Sequence, residues 1–185
     1  KSLITAASRP DAPERLSSAA TQAGVLARGI AEASEGIQSA RSQADSTIGA
    51  QVNQLNNALT QVEKLNTQIT KAQVRGDLSS GLLDQRQMLV DEISTLVPVR
   101  VVPRDHGKIA LYSTGGAILL DDTAAEIGFQ TTNIVTPYLT KDAGTLSGLT
   151  LNGRDIRTGS QNGALSGGTL GAQFAIRDEH GVDAQ

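Results

Sequence analysis

The stretch SSGLLDQRQMLVDEISTLVPVRVVPRDHGKIALY, Ser79 to Tyr112, changes its period at a single residue. Up to Leu96 the positions Leu82, Arg86, Leu89, Ile93 and Leu96 recur in steps of four and three, which lays one stripe along a helix. Pro98 cannot continue that helix, because its ring clashes with the preceding turn and it has no amide hydrogen to give. From Val99 the pattern becomes the alternation of a strand; 103–108 turns, and Ile109–Ser113 alternates again, predicting a hairpin. A helix that hands over directly to antiparallel strands points to an α+β class.

Working upstream, no proline occurs from Leu16 to about Val74. Apolar residues fall at Leu26, Ile30, Ala33, Ile37, Ala40, Ala44, Ile48, Val52, Leu55, Leu59, Val62 and Ile69. These steps predict a long coiled-coil-like helix over about 14–74, about 87 Å for its periodic part at 1.5 Å per residue. Three steps of four in a row, Ala40 to Val52, form a stutter at which a left-handed coil unwinds. Asn66 occupies a seam position between Val62 and Ile69, where a polar residue fixes register. Gly24, Gly29, Gly36 and Gly49 each cost about 1 kcal/mol in a helix interior, so a bend or break is expected in the first half. Such a helix is not stable alone in water. Its expected partner is the second helix, about 79–97, capped by Ser79 or Ser80 and joined by a short link at Arg75-Gly76-Asp77, hence antiparallel. Ile48, Val52, Leu55, Leu59, Val62, Ile69, Leu82, Leu89, Ile93 and Leu96 are the expected helix-packing seam, internal rather than between subunits. Upstream, ASRPDAPERLSS (7–18) reads as a proline-bearing loop with Pro13 near a helix start.

Downstream, TGG followed by AILL (117–120) extends the first hairpin, and AEIGFQT (125–131) reads as a further strand. LTLNGRDIR (149–157) places an Asn-Gly pair between two short apolar runs, a strong hairpin signal. TGSQNGALSGG (158–168) reads as a flexible glycine-rich loop, and TLGAQFAIRDEH (169–180) as the opening of another helix. The expected organisation is an elongated antiparallel helical domain (1–97), an inserted small and mostly antiparallel β-domain (98–170), and the start of a returning helix (171–185).

Composition limits the function. The 185 residues include two Phe, two Tyr, no Trp and no Cys, so the cores are narrow and built from Leu, Ile, Val and Ala. The net charge is −3 with the signs dispersed, which gives no basic stripe for nucleic acid. No apolar run reaches membrane-spanning length and no leader pattern is present in the chain as given. His106 lies in a charged turn, and His180 with RDEH (177–180) reads as a solvated helix end; neither has metal-ligand spacing. Asp121 and Asp122 are adjacent and read as a turn, since neighbouring strand residues face opposite ways. GALSGGTLG (163–171) has neither the P-loop lysine nor dinucleotide spacing and reads as a linker. Arg100, Arg104 and Lys108 read as a solvated basic face without interleaved aromatics. No Gly-x-Ser-x-Gly elbow occurs. The expectation is a non-enzyme without cofactor or metal.

GDLSSGLLDQRQMLVDEISTLVPVRVV (76–102) resembles the Leu-Leu-Asp-Gln-Arg segment of the flagellar hook-associated protein 1 family. SRPDAPERLSSAATQAGVLARGI (8–30), VNQLNNALTQVEKLNTQIT (52–70) and LSGGTLGAQFAIRDE (165–179) are similar to other stretches of that family in the same order. The resemblance is weakest over 101–170, and the family's terminal heptad segments have no counterpart here. It implies a structural subunit of the bacterial flagellum, joining hook to filament, exported through the flagellar type III channel and therefore extracellular. Implied partners are copies of itself in a ring, the hook protein, the next hook-associated junction protein and an export chaperone; neither nucleic acid nor membrane is among them. Two other readings of the same residues are a dimeric chemotaxis-receptor-like signalling coil and a surface adhesin whose β-domain binds a ligand.

Overall fold

Helix formers that follow a proline in the first turn build α1, Pro13–Arg75, 63 residues long and about 95 Å from end to end at 1.5 Å per residue. The glycines expected to bend or break its first half do not interrupt it. Gly29 and Gly36 face open space, so each costs backbone entropy but removes no packing. The computed structural model describes residues 13–77, 80–132, 134–140, 144–158 and 163–180; the residues before Pro13, the Ser79 alternative for the cap and the middle of the 158–168 loop lie outside them. Gly76, with φ of +74°, ends α1. Its amide donates to Gln73 O and that of Asp77 to Ala72 O, the paired bonds of a Schellman stop, for which glycine is the natural residue.

The chain turns back into α2, Ser80–Leu96. Gln54 Nε2 donates to Glu92 Oε1 at one end of the pair and Arg86 Nη1 to Asn66 Oδ1 towards the other, so the helices are antiparallel. Across Pro98 the backbone enters β1 (Val99–Pro103), a short 3₁₀ turn (Asp105–Gly107) and β2 (Ile109–Ser113). β3 (Ile118–Asp121) and β4 (Thr123–Ala124) complete an antiparallel sheet of order β1-β2-β3-β4, with an irregularity at Leu111/Tyr112. A second antiparallel sheet contains β5 (Ile127–Gly128), β6 (Leu149–Leu151) and β7 (Arg154–Ile156). Asn152 and Gly153, at φ +51° and +77°, form the tight turn between β6 and β7, as an Asn-Gly pair between strands predicts. The strand expected over 125–131 is reduced to two residues; after Gly128 the described residues up to 148 form no strand, and Thr132, Val135, Thr136 and Leu139 bond to α1 side chains.

One apolar cluster holds the described parts together. It joins Ile48, Leu55, Leu59 and Val62 of α1 to Ile93 and Leu96 of α2, Leu111 and Leu120 of the first sheet, and Ile127 and Leu149 of the second. It continues into Leu170 and Phe174 of α3 (Gly168–Phe174), which runs on as a π-helical turn over Ala175–His180. Helices and sheets therefore share a core across the junction at Pro98.

The segment 163–171 is not a loose linker. Gly168 has φ of +62°, and a Cβ added there would lie 2.3 Å from the carbonyl oxygen of Leu96. Backbone packs on backbone at that point, which fixes the start of α3 against the end of α2.

Candidate functional site: an internal seam, a buried charge clasp and a bare helical arm

The seam positions divide by environment. Ile48, Val52, Leu55, Leu59, Val62 and Ile69 are all buried, as are Ile93 and Leu96. Leu89 is partly buried against the same cluster, and Leu82 is half-buried outside it. Val90, which the stripe of fours and threes leaves out, is buried. The α2 stripe is wider than a coiled-coil seam because its helix meets α3 as well as α1.

Asn66 lies inside this seam and is only 5% exposed. Its Nδ2 donates to Ile109 O at 2.8 Å, and its Oδ1 accepts from Ile109 N at 3.2 Å and Arg86 Nη1 at 3.0 Å. The side chain thus pairs with a strand edge as another strand would. Arg86 also donates to Gly107 O at 2.6 Å, and burial lowers its pKa. Asn56 repeats the device on the second sheet, donating to Ile127 O and accepting from Ile127 N. Two amides on one helix face thereby register both sheets against α1.

Beyond the seam, at the stutter, lies a buried charge cluster that the sequence reading did not find. Arg177 is fully buried. Its Nη1 reaches Asp45 Oδ1 at 2.6 Å, while Nε and Nη2 hold both oxygens of Asp178 at 2.6 and 2.9 Å. Its guanidinium lies 5.5 Å from the ring centroid of Phe129 and 5.0 Å from that of Phe174, within cation–π range of both. The two rings meet edge to face. Burial acts to lower the Arg177 pKa, but the Asp178 and Asp45 carboxylates outweigh it and hold the group above its usual value.

Arg41, also fully buried, donates to backbone carbonyls instead: Nε to Arg177 O, Nη1 to Thr136 O and Nη2 to Leu139 O. Burial lowers its pKa, opposed by the Asp178 charge and reinforced by Arg177. Ser42 Oγ accepts from Val135 N, and Asp45 Oδ2 from Thr132 N. Arg41, Ser42 and Asp45 of α1 thus clasp the described parts of the 130–147 loop to the helix, and Arg177 of the π turn adds a bond from Nη2 to Ser147 O at 2.9 Å. The expectation that 177–180 is a solvated helix end fails at Arg177 and Asp178. No sequence signal identifies the clasp, because Arg41 and Asp45 also fit an exposed i, i+4 pair beside an alanine seam.

The remaining candidates for chemistry have structural partners. Asp121 is paired with Arg104 at 2.7 Å and Asp122 with Lys108 at 2.9 Å. Asp122 has φ of +63°, as a turn residue. Hydrogen bonds from Arg104, then from Tyr112, hold the Asp121 carboxyl below its usual range. The basic face does have an aromatic partner: Tyr112 lies between Arg100 and Arg104, each 6.0 Å from its ring centroid. Among the described residues no three His, Asp or Glu side chains converge to hold a metal ion, and no helix is long and apolar enough to cross a membrane.

The N-terminal part of α1 differs from all of this. Ahead of Ile37, which is half-buried, its large apolar side chains are uncovered; Val25, Leu26 and Ile30 are 56%, 63% and 63% exposed. The protein therefore presents a bare helical arm attached to a closed, clasped body, a geometry suited to assembly.

Comparison with known proteins agrees with that geometry. The model of the family described as "Flagellar hook-associated protein FlgK helical domain" matches residues 1–185. Flagellar hook-associated protein 1 of Bacillus subtilis (strain 168) is 32% identical over 98 residues, covering 51% of this chain and 19% of that protein. The Escherichia coli (strain K12) protein of the same name is 32% identical over 129 residues, covering 67% of this chain and 24% of its own length. In fold, the chain is similar to the flagellar hook junction protein FlgK from Burkholderia pseudomallei. The TM-score is 0.71 at 24% identity, over 95% of this chain and 31% of that one. The chain thus spans roughly a fifth to a third of the proteins it matches. With a family model matched from its first residue to its last, the chain belongs to the flagellar hook-associated protein FlgK helical-domain family.

Proposed function

We propose that this chain is the helical domain of a structural subunit at the junction between the flagellar hook and filament. The observation that carries the reading is the family match over all 185 residues, together with the fold it shares with a solved protein named a flagellar hook junction protein. The architecture supports it. A helix of 63 residues gives a subunit long contacts along a tube, and the clasped body fixes the 163–180 segment against that helix. In this reading the protein is not an enzyme. Copies of the chain form a ring between the hook protein and the next hook-associated protein, outside the cell, after export through the flagellar channel with the help of a chaperone. A receptor-like dimeric coil is disfavoured because the α1 stripe from Ile48 to Val62 already packs against the chain's own α2 and sheets.

The test is genetic. Removing the segment that encodes 1–185 from its gene is expected to leave hooks of normal length without attached filaments, and restoring it to return the filaments. Filaments still attached to hooks in the deletion strain would refute the proposal.

A further inference from the structure

The clasped loop carries a rigid, exposed tip. Thr136 to Leu139 form a tight turn, closed by the amide of Leu139 donating to Thr136 O at 3.1 Å, with Pro137 at its second position, where a fixed φ suits the turn. Both end carbonyls of the turn are held by the buried Arg41, through Nη1 to Thr136 O and Nη2 to Leu139 O. Tyr138 in this turn is 89% exposed, and Ile134 just before it 71%. A side chain on a turn already fixed loses little freedom on binding. Tyrosine, with an apolar body and a polar end, is a residue type that anchors protein contacts.

A surface of matching chemistry lies elsewhere on the same chain. Between α1 and α2 runs an open groove of about 390 Å³, lined by the apolar side chains of Leu65, Met88 and Leu89 and the amides of Gln61, Gln68 and Gln85. Met88 is 64% exposed, so its thioether is open to an aromatic ring, and the amides both donate to and accept from a phenol hydroxyl. At 3.6 residues per turn, Gln61, Leu65 and Gln68 lie about 160° round α1 from Arg41, Ser42 and Asp45, and about 33 Å further along it. The clasp therefore holds the tip out of reach of its own groove. We infer that Tyr138 of one copy docks in the α1–α2 groove of the next, its ring on Met88 and Leu89 and its hydroxyl among the glutamine amides. Because tip and groove lie on opposite sides of α1, each copy uses the tip on one neighbour and the groove on the other. Such a head-to-tail contact builds a series of copies rather than a closed dimer. With α1 parallel in all copies, successive subunits are staggered by about 33 Å and climb as a helical layer. The inference rests on the reading of the chain as a junction subunit and names the surfaces that join its copies.

The sequence has no cysteine, so thiols can be placed at will. The double variant Tyr138→Cys/Gln85→Cys is built into the full-length protein, and isolated flagella with hooks attached are treated with a short bismaleimide. The expected result is a ladder of cross-linked copies, dimers, trimers and higher, with each single variant giving no ladder. Ile134→Cys/Gln85→Cys, which keeps the tyrosine, repeats the measurement if the first variant does not assemble. Monomers alone, in junctions that still hold their filaments, overturn the inference and leave the junction reading standing. Dimers without higher species overturn it, because the contact then closes on itself. Cross-links to a different flagellar protein, or within one chain, overturn it as well.

Discussion

Replacing Asp45 by Ala tests whether the clasp holds the 130–147 loop and the returning helix on α1. The carboxylate makes two contacts that no other group supplies, Oδ1 to Arg177 Nη1 at 2.6 Å and Oδ2 to the amide of Thr132. Both charged side chains of the Asp45–Arg177 pair are fully buried. Removing one partner of a buried pair leaves the other charge in a medium of low polarity, which costs about 3–5 kcal/mol. Asp178 still holds the other edge of Arg177, which places the expected loss near the lower end, about 3 kcal/mol, and the lost, part-buried Thr132 amide hydrogen bond adds to it. Asp45→Asn, which keeps an acceptor but not the charge, is expected to lose less, about 1–3 kcal/mol. The double variant Asp45→Leu/Arg177→Met removes both charges and is expected to recover most of the loss, since well-packed apolar residues replace buried ion pairs at little cost. Urea unfolding of the 185-residue chain, followed by circular dichroism, measures all three. Asp45→Ala unfolding within about 1 kcal/mol of the parent, a difference typical of exposed pairs, would refute the reasoning. A double variant no better than the single one would show that the loss lies in packing rather than in a stranded charge.

Leu59→Ala removes a fully buried side chain at the centre of the shared core and is expected to cost about 2–5 kcal/mol; a parental melting curve would show that the seam is not core. Asn66→Leu strands the Ile109 amide and carbonyl and one Arg86 donor, at about 1–3 kcal/mol for a buried unsatisfied group, with amide exchange at Ile109 rising first. Gly168→Ala meets both a positive φ and the Leu96 carbonyl and is expected to destabilise by about 1–2 kcal/mol or more. Gly29→Ala, in open space, is expected instead to raise helicity by up to about 1 kcal/mol of propensity, with little change in the global midpoint. Asp121 has its folded-state pKa depressed, first by Arg104 and then by Tyr112. Its contribution is therefore present above the unfolded value, near 3.8, and lost as pH falls through the lower folded value. NMR titration of the hairpin should follow that course, and Asp121→Asn should abolish it.

Much of the fold can be read from local rules, because local physics decides it. Pro98 separates helix from strand whatever surrounds it, Gly76 stops α1 by its positive φ, and Asn152-Gly153 turns β6 into β7. The α1 seam from Ile48 to Ile69 is visible as a period because one face of a straight helix is buried. The clasp is not visible, since its residues lie far apart in the chain and each looks like an ordinary surface charge. Arg41 and Arg177 are separated by 136 positions, and only the antiparallel return of α3 brings them together. The 129–148 segment is equally opaque. Its backbone bonds to α1 side chains rather than to a neighbouring strand, so it has no periodicity to read. Leu82 shows the opposite error: a residue can continue a helical stripe and still lie beyond the end of the surface that stripe packs against.

The central proposal is that this chain is the helical domain of a hook–filament junction subunit, with its long helix in the wall of the tube. Electron cryomicroscopy of flagella isolated with the hook attached tests it most directly, using a tag inserted at the exposed turn beside His106. The account predicts tag density in one narrow ring between hook and filament, on the same subunits as a continuous helix of about 95 Å, the length of 63 residues at 1.5 Å each. Tag density spread along the filament or found at the cell surface, or a junction subunit whose helix is broken at Gly29 or Gly36, would contradict it.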